Sequence, residues 1–175
     1  MEDLIYHPIG IIHTPFKEAS GMPIQPRGAL GVKGSIELFP EFADGLKDLE
    51  AFSHIILLYH FHRASASRLH VVPFMDSEEH GVFATRAPTR PNPIGLSVVR
   101  LREVQGTTLV IENVDMLDGT PLLDIKPYAP IFDHWEVESA GWLTARQQQV
   151  QATRSDKRFE LSSYHLLAKI AVTPM

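Results

Sequence analysis

The sequence predicts a mainly β protein: a small closed or partly closed β-barrel of short strands with a short helical C-terminal tail. Three observations carry this expectation. Apolar, β-branched runs recur at close spacing between residues 8 and 125, which favours a barrel or sandwich over a doubly wound α/β fold. Residues 96–104 and 107–116 read as a hairpin joined at Gln105-Gly106, with glycine where a positive φ is wanted. From Asp133 onward the character changes, and 144–157 carries the helix-forming run Ala-Arg-Gln-Gln-Gln-Val-Gln-Ala. Residues 1–133 are therefore expected to form one barrel domain, and 134–175 an extension that is not an independent domain.

Taken in order, residues 9–16 form a first strand, apolar and β-branched at its start and stopped by Pro15. The segment 17–31, with Gly21, Pro23, Pro26, Gly28 and Gly31, is too long for a simple turn, and loops of this length inside compact domains are commonly functional. A second strand follows at 32–39 and Pro40 ends it. Phe42, Leu46 and Leu49 stand at helical spacing and predict one or two turns of helix over 41–49. The most apolar run, 52–61, reads as a strand buried on both faces. Residues 69–74 are a further strand candidate, ended by Pro73. The stretches 81–95 and 115–128 each begin as a short apolar strand and break into a loop, and 122–125 is a short strand leading into Lys126-Pro127-Tyr128. Residues 159–172 mix β-branched and helix-forming types without a clear period.

At 175 residues the chain has room for one domain with a substantial core. Apolar residues at 44% and charged residues at 21% exclude a disordered or fibrous class. With no cysteine, disulfides, thiolate zinc sites and cysteine nucleophiles are excluded together. An acidic N-terminus and the lack of an apolar run of membrane-spanning length predict a cytoplasmic protein with no membrane partner. The net charge of −5 argues against a broadly basic nucleic-acid surface. Arg63, Arg68, Arg86, Arg90, Arg100 and Arg102 leave room for a local basic patch.

The stretch 81–95 organises the chain. Pro88, Pro91 and Pro93 fix three φ angles and remove three donors, so the segment is stiff before any ligand arrives and loses little entropy on binding one. Arg86, Arg90 and Asn92 hang from it. The turn Asp118-Gly119-Thr120-Pro121 answers it, and Asp118 or Asp124 has the chemistry to take an ammonium or a ribose hydroxyl. His60 and His62 have the spacing of two metal ligands on one side of a strand, but the sequence designates no third or fourth, so no metal is expected. Neither a Walker sequence, a Gly-x-Gly-x-x-Gly nor a Gly-x-Ser-x-Gly elbow is present.

Several segments occur in order: Gln25-Pro26, Leu49-Glu50-Ala51-Phe52-Ser53-His54, Gly81-Val82-Phe83-Ala84-Thr85-Arg86, Arg90-Pro91-Asn92-Pro93-Ile94-Gly95, Asp118-Gly119-Thr120-Pro121 and Asp124-Ile125-Lys126-Pro127-Tyr128. Together, over about residues 8–133, they resemble the TsaA-like family, whose characterised bacterial member is the tRNA methyltransferase acting on N6-threonylcarbamoyladenosine next to the anticodon. The resemblance implies a small β-barrel, a homodimer and S-adenosylmethionine as cofactor. It also implies cofactor contacts at Pro23, Ile24 and Gln25, at His62 and Arg63, at Arg86 and Leu96, and at Asp118, Gly119, Thr120 and Pro121. Arg86 or Arg63 suits the cofactor carboxylate, Asp118 its ammonium or ribose, and Leu96 the adenine face. The chain departs from the bacterial pattern at Ile24, in place of arginine, at Arg63, in place of glutamine, and in a short tail in place of a longer C-terminal domain.

The implied reaction is methylation of the exocyclic nitrogen in tRNA, with Tyr128, Asp118 or His62 as candidates to accept its proton. Arg90 and Asn92 are the candidates for substrate contact or for holding the loop. The alternative is a cofactor-binding regulatory or interaction module, or a methyltransferase acting on a small molecule.

Overall fold

The computed structural model describes residues 4–160, so the expectation for 159–172 falls almost wholly outside the described residues. Its strands are β1 (Gly10–His13), β2 (Lys33–Leu38), β3 (His54–His60), β4 (His70–Val71), β5 (His80–Gly81), β6 (Ile94–Gln105), β7 (Thr108–Glu112) and β8 (Thr120–Pro127). Six of them close into an antiparallel barrel in the order β1-β2-β7-β6-β3-β8, and β4 with β5 forms a small ribbon. Closure falls on β1, where Ile12 lies opposite Ile36 on one side and Thr120 on the other.

The barrel is filled by alternate side chains. Ile12, Ile36, Ile55, Leu57, Leu109, Ile111, Val99 and Leu122 are fully buried, each contributing on the order of 1.5–3 kcal/mol by leaving water. β3 corrects the expectation of a strand buried on both faces: Ile55, Leu57 and Tyr59 are buried, while His54, Ile56, Leu58 and His60 between them are only half-buried. A closed barrel has one interior, so a central strand can be fully dry on one side only.

The β6–β7 hairpin forms at the expected turn, with Gln105 opposite Thr108 and Gly106 at φ 60°, but β7 ends at Glu112, short of the expected 116, and no strand opens the 115–128 stretch before β8. The helix expected over 41–49 is instead two 3-10 segments, Pro40–Leu46 and Leu49–Ala51. Asp48, at φ 65°, breaks any continuous turn between them. Residues 82–84 are likewise a 3-10 turn rather than a strand, and the strand expected over 69–74 shrinks to β4.

The tail is not α-helical at 144–157. Gly141–Gln149 runs as 3-10 turns, because a polar glutamine run has good propensity but no apolar stripe to pack, and packing is what stabilises most helices in proteins. A single α-turn, α1 (Pro130–Asp133), precedes it. Phe159 returns to the body and joins Val71, Val82 and Ala87 in a second apolar cluster, its ring edge-on to Phe74 at 5.1 Å. Between these points the tail fastens the early loop: Gly21 N–H donates to the Ser155 carbonyl and Ser155 N–H to the Met22 carbonyl, both at 2.8 Å.

Candidate functional site

The early loop, the chain leaving β3, the proline-rich segment and the tail surround a cleft of about 1210 Å³. Pro23, Ile24 and Gln25 line it from the early loop and Arg86 from the proline-rich segment. Arg86 Nη1 donates to Gln25 Oε1 at 2.9 Å. Leu96 lies 44% exposed at the wall, an apolar surface on the same cleft as an exposed guanidinium.

His62 and Arg63 line the cleft just past β3. His62 Nδ1 is 3.5 Å from Thr120 Oγ1. Loss of hydration, then the charges of Arg63 and His60, lower its pKa, so the imidazole stays neutral. Arg63 is occupied: Nη1 donates to the Lys17 carbonyl at 2.8 Å and Nη2 pairs with Glu160 at 3.0 Å. The chain turns sharply after β3, with His62 N–H donating to the His60 carbonyl at 2.8 Å, so His60 and His62 do not share a strand face. Among the described residues no group of three or more His, Asp or Glu side chains has the arrangement of a metal site.

Tyr128 and Thr120 also reach the cleft. Tyr128 is set by its backbone N–H on the His54 carbonyl at 3.1 Å and by an edge contact of its ring with His54. Asp118, Gly119 and Pro121 are not brought to this lining. Asp118 lies in a separate shallow groove with His13, Thr14 and Lys17, where its Oδ2 accepts from Lys17 Nζ at 2.5 Å and its Oδ1 from Thr14 N–H at 3.0 Å. Those two bonds hold its carboxyl below the usual carboxylate range. Gly119 takes φ 75° at the turn, and Pro121 pairs with Ile11 in the barrel wall.

In the proline-rich segment, Arg90 lines the cleft while Asn92 does not. Arg90 Nη1 donates back to the carbonyls of Thr85 at 3.0 Å and Ala87 at 3.4 Å. Thr85 Oγ1 in turn donates to the Val82 carbonyl and accepts from Ala87 N–H. Arg90 thus braces a loop whose prolines have removed its own donors.

Sequence reasoning assigned no role to Tyr59, Ser97 or Asp115, which form a connected network at the cleft floor. Tyr59 Oη lies 3.1 Å from Ser97 Oγ, and Ser97 Oγ donates to Asp115 Oδ1 at 2.6 Å. Desolvation pushes the Asp115 carboxyl up to about 7, against the opposing pull of the Ser97 hydrogen bond, a bond from its own backbone N–H and the Arg86 charge, although the residue as a whole is only half-buried. Burial also raises the Tyr59 phenol, so it stays a neutral donor. Tyr59 lies opposite Gly95, and a β-carbon on Gly95 would collide with its ring.

A six-stranded antiparallel barrel bearing a cleft edged with arginine, amide and apolar side chains defines a class of small β-barrel proteins built to hold an amphiphilic ligand. Residues 11–134 match the family model described as the tRNA-methyltransferase O N-terminal domain, and the chain belongs to that TrmO family. The chain is 59% identical, over 89% of its own length and 85% of the relative's, to a probable S-adenosyl-L-methionine-binding protein of Pyrococcus abyssi. It is 38% identical to the tRNA (adenine(37)-N6)-methyltransferase of Escherichia coli, covering 81% of this chain and 65% of that one. Among solved structures, TrmO from Pseudomonas aeruginosa superposes with a TM-score of 0.68 at 41% identity, over 81% of this chain and 63% of that one. The chain therefore spans a little under two thirds of these two bacterial proteins.

Proposed function

We propose that the protein is an S-adenosylmethionine-dependent methyltransferase that modifies the N6 nitrogen of threonylcarbamoyladenosine beside the tRNA anticodon. Family membership supports the class of reaction. The observation that carries the reading to this chain is the meeting of Gln25, Arg86 and Leu96 at one cleft. An exposed guanidinium suits a carboxylate, an amide suits its hydrogen-bonding head, and an exposed leucine suits a flat base. This donor set fits the cofactor, which supplies an electrophilic methyl group on a sulfonium when bound.

Arg86 would hold the carboxylate, oriented by Gln25, with Pro23 and Ile24 beside it and Leu96 against the base. Thr120 and the neutral His62 close the floor, and Arg63 would join the binding set through guanidinium N–H groups not used on Lys17 and Glu160. Asp118, Gly119 and Pro121 would serve through the turn that carries Thr120. Tyr128 and Arg90 would face the nucleotide, and Asn92 would extend that contact beyond the cleft. Arg27, Arg63, Arg86 and Arg90 line the cleft together with Asp115, Asp156 and Glu160, and the arginines would be its contacts to phosphate in a chain of net charge −5. We further infer a homodimer, for which exposed Phe83 and Ile94 at the rim offer apolar surface, and a cytoplasmic setting, where tRNA is met. Among the described residues no helix is long and apolar enough to cross a membrane. Residues 134–160 are read as an extension of the barrel domain, since their contacts return to it.

The test is incubation with methyl-labelled cofactor and tRNA carrying or lacking the threonylcarbamoyl group. Label entering only the modified tRNA is expected. Tight cofactor binding without transfer would assign a binding module instead.

A further inference from the structure

We propose that Asp115 is the proton acceptor of the methyl transfer, held in place by Ser97 and Tyr59. The proposal rests on the functional reading above. The acceptor nitrogen belongs to a urea, whose lone pair is withdrawn into the carbonyl until its proton leaves. A base at the cleft is therefore required. His62 faces Thr120 Oγ1 and its lowered pKa makes it a weaker base than Asp115, and the carboxylates differ among themselves.

Asp118 is tied to Lys17 and Thr14 away from the cleft lining. Its depressed carboxyl is a weak base. Asp156 is spent on Arg158 through Nε and Nη2, and Glu160 on Arg63. Asp115 lines the cleft, and among the described residues no cation forms a salt bridge with it. Its carboxyl accepts from the Ser97 hydroxyl, on Oδ1, and from its own backbone N–H, and a carboxylate with about four lone-pair sites keeps room for a substrate proton. The groups that face it are Ser97 from β6, Tyr59 from β3 and Arg86 from the proline-rich segment. Desolvation brings its pKa to about 7, where a carboxylate is both populated and basic at neutral pH.

The proton on the acceptor nitrogen passes to Asp115 Oδ2, and the pair it leaves forms the bond to the methyl carbon as the carbon–sulfur bond breaks with its electrons retained on sulfur. The products are the methylated urea, a neutral thioether and a protonated Asp115, which returns its proton to solvent through the open cleft. Ser97 and Tyr59 are positioning residues: a chain of two hydroxyls fixes the carboxyl and supports its charged form.

The experiment uses the whole chain. Asp115→Asn is expected to bind the cofactor by calorimetry within a few-fold of wild type, while transfer to threonylcarbamoyl tRNA falls by about 100-fold or more. The wild-type rate should rise with pH through about 7. In Ser97→Ala that midpoint should move upward, since the hydrogen bond stabilising the carboxylate is gone. Independently of activity, the Asp115 side-chain carbon in the free wild-type protein should titrate near 7 by 13C NMR. If Asp115→Asn keeps the wild-type rate and pH profile, or loses cofactor affinity as steeply as rate, the proposal is overturned. A carboxyl titrating near 4 also overturns it. Should Asp115→Asn fail to fold, the Ser97→Ala profile and the NMR titration decide. Wild-type protein that transfers nothing to modified tRNA would overturn the functional reading itself and this proposal with it, whereas active wild type with an indifferent Asp115→Asn overturns only the proposal.

Discussion

Arg86 Nη1 donates to Gln25 Oε1 at 2.9 Å, joining two residues 61 positions apart at one wall of the cleft. The contact uses one of five guanidinium N–H donors, so the arginine is aimed and still able to bind a carboxylate. Arg86→Ala should therefore weaken cofactor binding by roughly 1.5–3 kcal/mol, the range for a hydrogen bond to a charged group, or about 10- to 150-fold in Kd. Gln25→Ala should weaken it less, because the neutral amide orients the charge. Calorimetry checks both, and wild-type affinity in Arg86→Ala would remove the assigned contact.

Gly95 is required by its neighbour. Its cross-strand partner Tyr59 lays its ring over the glycine, and an added methyl group would push that ring off Ser97. Gly95→Ala is expected to cost about 1–3 kcal/mol, as overpacking in a filled core does. Urea unfolding measures it. A variant as stable as wild type would mean the ring moves aside freely.

The raised Asp115 carboxyl also predicts a pH dependence of stability. Its folded pKa, about 7, stands above the unfolded value of about 3.9, so the native state binds the proton more tightly. The associated stability is fully present below the unfolded pKa and is lost as pH rises through the folded one. Asp115→Asn should flatten the part of the stability–pH curve between about pH 4 and 7 that this group causes, read from denaturation midpoints across that range. An unchanged slope would show that the group titrates normally.

The tail should come loose before the barrel does. Phe159 is buried against Val71, Val82, Ala87 and Phe74, while the strands hold a separate core. Phe159→Ala removes roughly 3 kcal/mol from the tail's docking with little effect on the barrel. Limited proteolysis should then cut between residues 141 and 160 sooner than in wild type, with the near-ultraviolet signal of the barrel retained. Equal protection of the tail in both proteins would place its anchor elsewhere, at the Ser155 and Met22 bonds.

The strands were legible because burial alternates at a fixed period and prolines and glycines punctuate it: Pro40 after β2, Gly106 between β6 and β7. The 3-10 turns at Pro40–Leu46 and Gly141–Gln149 were not, since helical spacing and propensity do not say whether a tertiary face exists to stabilise a full α-helix. In the cleft, the side chains of the early loop and proline-rich segment were legible as polar groups on stiff backbone. The position of Arg90 in the chain is compatible with substrate contact or with holding the loop, and in the structure its Nη1 braces the Thr85 and Ala87 carbonyls.

The Ser97–Asp115 contact shows where the sequence stops. Counting back from the turn, with Gln105 opposite Thr108, would set Ser97 opposite Met116. The register shift between Leu101 and Glu103 moves the pairing by one residue, so that Arg100 faces Glu112, and Asp115 comes to Ser97. A one-residue slip exchanges the two faces of a strand, and a bulge of this kind leaves no reliable residue signature. The sequence by itself determined an antiparallel barrel, its turns, its stiffened loop and its family, because these depend on local pattern and residue type. Tertiary structure alone decided which acids face the cleft and which are spent on salt bridges, because that depends on register, closure and the distance between segments remote in the chain.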